Sequence, residues 1–417
     1  MVIMRRSLAC LSLAFAASAQ AQEVARIAAR PDVRALMDSI KARNAWTLEK
    51  QVSLCEIPAP PFKETARGLA YKAEFERLGL TNVRVDSIGN VIGERRGTGQ
   101  GPTILLQGHL DTVFPEGTDV KVRRDGSRYV GRGIEDDCRG LASVLAVARA
   151  LQASKIATTG TIIFAGNVGE EGPGNLRGTR HLFARELKGK IDYFISVDGA
   201  GDGIASSAVG SNRYLVRFKG RGGHSYGAFG TPNPAHALGR AMAVIADLQV
   251  PSSPKTTFNV GVIKGGTSVN SIPFEASMEL DMRSESAQAL ATLDAKAMRA
   301  IRNAVVAENR RWPNKSNPVA VVIDTIGLRP AGSQPDSARI VRIASEGART
   351  LSLGGKLHAG STDANVPIGL RVPGIAIGGG GVGDGAHGLD EWYDDGPSGW
   401  RGPQWAALIV LTLAGVR

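Results

Sequence analysis

Apolar runs that end beside glycine in an acidic residue or a histidine recur along this chain, and that recurrence constrains the fold more than any other feature. Thr103–Leu106 reads as a buried strand and leads into Gly108, His109 and Asp111. Thr161–Ala165 is a second such run; it ends at Asn167 and is followed by Glu170-Glu171-Gly172. Tyr193–Val197 is a third and ends at Asp198-Gly199. Helical patterns over Leu141–Leu151 and Arg177–Glu186 separate them. Strand, loop and helix in alternation predict an α/β sheet with helices on both faces. The loops at the carboxyl ends of such strands carry the chemistry, so the side chains placed there are the candidates for function. Gly108 is expected to turn the chain sharply just before His109.

The flanking segments predict further elements. Val33–Ser53 reads as one helix, and the proline-rich stretch from Cys55 to Pro61 as a rigid connector. Lys63–Leu78 reads as an amphipathic helix with Ala66, Leu69, Ala70, Phe75 and Leu78 inward. Val83–Arg95 reads as a strand pair turning at Gly89-Asn90. Near Ser211 the pattern changes to strand Tyr214–Lys219, helix Ala235–Leu248, strands Thr257–Ile263 and Glu275–Arg283, helix Ala287–Arg310 and strand Val319–Ile323. This β-α-β-β-α-β order predicts a ferredoxin-like insertion. A helix at Ala338–Leu351, strands near Leu357 and Ile375, and a helix at Trp405–Ala414 resume the first pattern. A chain of 417 residues is long for one core. The expected division is a domain built from 22–210 and 326–417, with a smaller one, 211–325, inserted.

Residues 1–21 read as a signal peptide: Arg5 and Arg6, the apolar run Leu8–Ala17, then Ala19-Gln20-Ala21 as the cleavage site. The apolar run is too short for a membrane anchor. Export to the periplasm or beyond follows, and cleavage would lower the net charge from +11 to +9. The charge is basic, but it is spread without a dense Lys/Arg run and aromatic residues are few, which argues against nucleic-acid binding. Cys55 and Cys138 remain after cleavage and are expected to be free thiols.

Six strand-end residues make a candidate site for two zinc ions: His109, Asp136, Glu170, Glu171, Asp198 and His387. Zinc accepts imidazole nitrogen and carboxylate oxygen and in catalytic sites keeps a position for water. Two ions close together need a carboxylate to bridge them. Asp111 is placed to fix the tautomer and orientation of His109. Adjacent residues cannot point the same way, so one of Glu170 and Glu171 can hold metal while the other takes a proton from water. Each piece alone has a plainer reading: Asp136-Asp137 as a helix cap, Glu170-Glu171 as a solvated turn, Asp198 as a turn residue, His387 as surface. Their joint occurrence in a chain with six histidines favours the site.

These motifs resemble those of the di-zinc exopeptidase and deacylase family that includes peptidase T, carboxypeptidase G, acetylornithine deacetylase and succinyl-diaminopimelate desuccinylase. Gly108-His109-Leu110-Asp111-Thr112 is similar to the segment with the first ligand and its supporting Asp. Gly131-Arg132-Gly133-x-x-Asp136-Asp137 is similar to the bridging segment and implies the bridge at Asp136. The resemblance further implies Glu170 as general base, Glu171, Asp198 and His387 as ligands, and Glu391 as part of the last motif. Gly222-Gly223-His224-Ser225 resembles the lid motif whose His reaches a neighbouring subunit's site to stabilise an oxyanion. Gly265–Asn270 and Asp281–Ser284 resemble the segments whose Asn and Arg, here Asn270 and Arg283, hold substrate. One departure stands out: where relatives read Lys-Gly-Gly, this chain has Cys138-Arg139-Gly140. The implied fold is a zinc-exopeptidase-like catalytic domain, a mixed sheet with flanking helices, carrying an inserted ferredoxin-like lid and dimerisation domain.

The expectation is therefore an exported zinc exopeptidase, active as a homodimer on small peptides, with cobalt or manganese as admissible substitutes. An N-acyl amino acid deacylase is the alternative within the same chemistry. A non-catalytic solute-binding protein fits less well, because it has no need of a general base. A serine hydrolase lacks its G-x-S-x-G elbow, since Gly210-Ser211 and Gly360-Ser361 stand in the wrong frame.

Overall fold

A computed structural model describes residues 22–313 and 316–417; the expected signal segment, 1–21, lies outside the described residues. The chain forms two compact units, one from the residues up to Ala208 together with Gln334–Arg417, the other from Val209–Ser333. Among the described residues no helix is long and apolar enough to cross a membrane.

The first unit is built on a mixed sheet. Its strands run in the order Thr81–Val85, Val91–Arg95, Thr161–Asn167, Thr103–His109, Tyr193–Val197, Gly374–Ile377 and Ile204–Ala208, with Leu357–Gly360 also paired to the last. The central strands are parallel: Thr103–His109 lies between Thr161–Asn167 and Tyr193–Val197, and Gly374–Ile377 continues in the same sense. They are apolar on both faces because both faces are covered. Helices Cys138–Ala153 and Arg401–Ala414 pack Leu141, Leu145, Trp405 and Leu408 against Ile104, Leu106 and Ile195. On the other face Leu182 and Phe183 meet Leu105, Ile163 and Phe194. Register brings the strand ends together. His109 pairs with Asn167, and Gln107 with Ser196, so two residues further the neighbouring chains reach His109 and Asp198 side by side.

Four local expectations change. The strand does not turn at Gly108 but runs through to His109. Glycine is needed there for close approach: a Cβ would stand 2.9 Å from Asp137 Oδ2 and 3.0 Å from the Leu141 amide nitrogen. The helix expected over Val33–Ser53 is two helices, Pro31–Ala42 and Asn44–Cys55, broken at Arg43. Their buried residues, Val33, Leu36 and Ile40, then Thr47, Gln51 and Leu54, keep one phase across the break, so the pattern hides it. In the next helix, Thr65–Arg77, Leu69 faces out and Arg67 is fully buried. Its guanidinium donates to the carbonyls of Ile57, Leu110 and Cys55, which meets the requirement that a buried charge be hydrogen-bonded. Finally, the helix after the bridging segment begins at Cys138 and is capped by Asp137, whose side chain accepts from the Gly140 amide. Asp136 is left free of capping.

The second unit has a four-stranded antiparallel sheet in the order Thr256–Gly265, Glu275–Ser284, Gly210–Lys219, Ala320–Arg329. Helices Pro234–Ala246 and Ala287–Arg311 share one core with it, where Leu238, Ala241, Leu293 and Ile301 meet Val216, Phe218, Met278 and Leu280. This is the ferredoxin-like order. The first and last strands extend beyond the expected Tyr214 and Ile323, since Arg329 still pairs with Ser211.

Candidate active site

His109 leaves the end of its strand with Nε2 2.9 Å from Asp136 Oδ1. His387 comes from the other segment of the same unit, and its Nε2 lies 3.2 Å from Asp136 Oδ2 and 2.9 Å from Glu171 Oε1. Each oxygen of Asp136 therefore faces one imidazole. The ligand atoms of His109, Asp136 and Asp198 lie within 4.8 Å of one another; so do those of Asp136, Glu171 and His387. A third group, His109, Glu170 and Glu171, meets the same limit. All six strand-end candidates thus come together, as two trios that share Asp136, with Glu170 beside them.

Three fully buried carboxylates hold the backbone that carries these side chains. Asp137 Oδ2 accepts from the His109 amide at 2.9 Å, and its Oδ1 accepts from the amides of Gly140 and Gly199, each at 3.0 Å. Glu391 Oε1 accepts from Glu135 and Asp136 at 2.8 and 3.0 Å, and Oε2 from Gly133 at 2.9 Å. Asp111 Oδ1 accepts from Glu170 at 3.0 Å and Oδ2 from Glu171 at 2.9 Å. The imidazole of His109 has Nδ1 3.1 Å from the backbone carbonyl of Asp111 and 3.6 Å from its carboxylate. The carbonyl is the nearer acceptor. It selects the tautomer with the proton on Nδ1 and leaves Nε2 to a ligand. The helix cap read from the sequence for Asp136-Asp137 holds for Asp137; its contacts to His109 and Gly199 were not anticipated.

The electrostatics follow from this crowding. Burial pushes Asp198 up to about 7, and the negative charge of Asp136 adds to the shift. Burial also pushes Glu391 up to about 7. His387 is raised to about 10 by hydrogen bonding to Asp136 and then to Glu171. Burial opposes ionisation of Asp136, but its hydrogen bonds to His109 and His387 win and hold it well below the usual carboxylate range. Packed carboxylates of one sign with two imidazoles between them form a site of negative potential, which a divalent cation relieves. Donors of nitrogen and oxygen only, in two trios with one shared carboxylate, fit two ions of the zinc type.

The unusual Cys138-Arg139-Gly140 segment serves packing. Both Cys55 and Cys138 are free, buried thiols in a cluster with Ile134 and Tyr393. Arg139 is buried, with Nε 2.7 Å from the Gly379 carbonyl and Nη2 2.6 Å from that of Gly399. Gly379 must remain glycine to admit it, since a Cβ there would stand 2.9 Å from Arg139 Cγ.

His224, Asn270 and Arg283 belong to the second unit. Gly223–His224 pairs with Ser271–Ile272, and the Ser225 amide donates to the Asn270 carbonyl at 2.9 Å, so His224 and Asn270 are neighbours. His224 Nδ1 accepts from the amides of Tyr226 and Gly227, both at 3.3 Å, which puts the proton of the neutral ring on Nε2. Arg283 sits elsewhere, near the end of its strand between Thr257 and Ser211, with Nε 2.8 Å from Asp281 Oδ2.

Comparison with known proteins agrees with the geometry. Carboxypeptidase G2 of Pseudomonas sp. (strain RS-16) is 31% identical over 249 residues, covering 57% of this chain and 59% of that protein. The chain thus matches less than two thirds of that relative's length. Succinyl-diaminopimelate desuccinylase of Nitrosospira multiformis is 30% identical over 268 residues, 58% of this chain and 69% of the relative. Among solved structures, aminopeptidase PepT from Bacillus cereus ATCC 10987 superposes with a TM-score of 0.71 at 22% identity, covering 88% of this chain and 98% of its own. The Bacillus subtilis YXEP protein, described as a dinuclear metal binding peptidase, superposes with a TM-score of 0.67 at 18% identity, covering 89% and 99%. The family model for peptidase family M20/M25/M40 matches residues 105–399, a span that takes in the metal trios and all three buried carboxylates. With a carboxypeptidase and a desuccinylase among its relatives, the chain belongs to peptidase family M20/M25/M40 and is a metal-dependent hydrolase.

Proposed function

We propose that this hydrolase is an exopeptidase that uses two zinc ions to cleave a terminal amide bond of small peptides. The observation that carries the reading is Asp136, with an imidazole at each of its carboxylate oxygens. His109 and Asp198 would hold one ion, Glu171 and His387 the other, and Asp136 both. Ions bound there would polarise the scissile carbonyl and bring a water within reach of deprotonation near neutral pH.

The chain's own side chains then handle the protons and the charge. Glu170, beside both trios, takes the proton of the attacking water and delivers it to the departing amine. His224 donates a hydrogen bond from its Nε2–H to the developing oxyanion. Arg283 and Asn270 hold the substrate, and the planar guanidinium of Arg283 is suited to a substrate carboxylate. His224 acts in a neighbouring subunit's site, so the working form is a homodimer joined through the second unit. The N-terminal pattern of residues 1–21 supports export to the periplasm or beyond.

A second reading, an N-acyl amino acid deacylase, is supported by the desuccinylase among the relatives. The two are separated by hydrolysis of a panel of di- and tripeptides and N-acyl amino acids, on protein of known metal content with a chelator control. Chelator-sensitive release of an amino acid from peptides supports the exopeptidase. Release from acyl amino acids alone moves the assignment to the deacylase, and release that survives metal removal sinks both.

A further inference from the structure

We infer that Asp137 and Glu391 are positioning residues of different reach: Asp137 serves the trio of His109 and Asp198, whereas Glu391 serves the shared Asp136 together with the loop of His387, and so both ions. The inference rests on the two-metal reading above and goes beyond it.

The two carboxylates differ in the trios they reach. Asp137 accepts from the amide of His109 itself and from the amide of Gly199, the residue after Asp198. Those two ligands belong to the His109, Asp136 and Asp198 trio and to no group with His387. A third contact, to Gly140, anchors the same carboxylate to the start of the Cys138–Ala153 helix. One rigid group thus fixes the end of one strand, the loop after another and a helix terminus.

Glu391 stands in the loop of His387 and reaches the bridging segment. Its carboxylate accepts from Gly133, Glu135 and Asp136, and its own carbonyl accepts from the Gly131 amide at 3.0 Å. It ties the loop of one ligand, His387, to the backbone of another, Asp136, which belongs to both trios. His387 is half exposed and has a left-handed backbone, φ 68°. Among the described residues its side chain pairs with Asp136 and Glu171, and the loop's anchor at Glu391 sets where the imidazole arrives.

Asparagine or glutamine keeps the shape of each strut but not its acceptors. Asp137→Asn has one oxygen for three amides on two sides. Whichever way the amide turns, an N–H faces an N–H at His109 or at the Gly140 and Gly199 pair. Glu391→Gln meets the same conflict between Gly133 and the Glu135 and Asp136 pair. Loss of such outer partners costs about tenfold to a hundredfold in metal affinity.

The test measures affinity for Co2+ by chelator competition, followed by visible absorption of the bound ion, on metal-free full-length protein. Wild type is expected to bind two ions, His387→Ala and His109→Ala one each. In the His387→Ala background, adding either Asp137→Asn or Glu391→Gln should weaken the remaining ion about tenfold or more. In the His109→Ala background Glu391→Gln should still weaken the remaining ion, and Asp137→Asn should leave it nearly unchanged. Equal weakening by both struts in both backgrounds overturns the division of labour while the two-site reading stands. Wild type that binds a single ion overturns the two-site reading, and the inference with it. Should Asp137→Asn fail to fold, the Glu391→Gln pair decides alone: weakening in both backgrounds supports the inference, and weakening in one or neither defeats it.

Discussion

The backbone amide of Glu171 donates to Asp111 Oδ2 over 2.9 Å, so a residue expected to serve His109 also fixes the loop of the Glu-Glu pair. The other oxygen of Asp111 holds the amide of Glu170. Asp111→Ala should therefore damage the geometry of both glutamates as well as the surroundings of His109. The expected result is a loss of about tenfold to a hundredfold in metal affinity, together with a fall in kcat. Metal content after dialysis against a weak chelator reads the first and steady-state kinetics the second. A variant that retains both ions with wild-type affinity would show that the two amides find other acceptors at no cost.

Glu170 and Glu171 are adjacent yet should fail differently. Glu171→Ala removes a side chain that meets Asp136 and His387, and should bind one ion fewer than wild type. Glu170→Ala should keep both ions and lose about 10²- to 10⁴-fold in kcat, the usual worth of a positioned general base. Metal analysis paired with kinetics checks both. Full turnover in Glu170→Ala refutes its role as base; loss of an ion from that variant makes it a ligand instead.

Much of the site was legible because ligands sit where strands end. His109 and Asp198 follow directly from apolar runs, and the parallel register between those runs sets them side by side. The supports were not legible in the same way. Asp137 works on partners 28 and 62 residues distant, and a pairing at that range leaves no local pattern. Arg67 reads as a surface residue because charged side chains seldom lie fully buried without partners. Its partners are three backbone carbonyls, which any sequence supplies. Gly108 shows the limit of reading glycine as a turn. The strand passes straight through it, and what glycine provides is room for Asp137.

Metal uptake should depend on pH with a definite sign. In the metal-free site His387 is raised from its ordinary 6.5 to about 10, first by hydrogen bonding to Asp136 and then to Glu171. A group raised in this way adds stability that is full below its unfolded value and is lost as pH rises through the folded one. The metal-free protein should therefore lose that contribution between about pH 6.5 and about pH 10. An ion, by contrast, must displace the proton before it can use the imidazole, so affinity should rise with pH up to about 10. Chelator competition at several pH values, with calorimetry in buffers of different ionisation enthalpy, measures the affinity and the protons released. An affinity that stays flat over this range, with no proton release, would mean that His387 is already neutral or takes no part in binding.

The role proposed for His224 predicts that one chain completes another's site. The imidazole has Nδ1 occupied by the amides of Tyr226 and Gly227, so Nε2 is the nitrogen that can serve an oxyanion. If it serves the partner's site, His224→Ala and Glu170→Ala homodimers should each be nearly inactive. A mixed dimer then has one site that lacks both groups and one that retains both. Mixing the two variants under conditions that allow exchange should restore part of the wild-type activity, in proportion to the mixed dimer formed. Mass-tagged subunits report the exchange independently of activity. Full exchange without recovery would place His224 in its own chain's site, and a protein that sedimentation shows to be monomeric while fully active would remove the partner altogether.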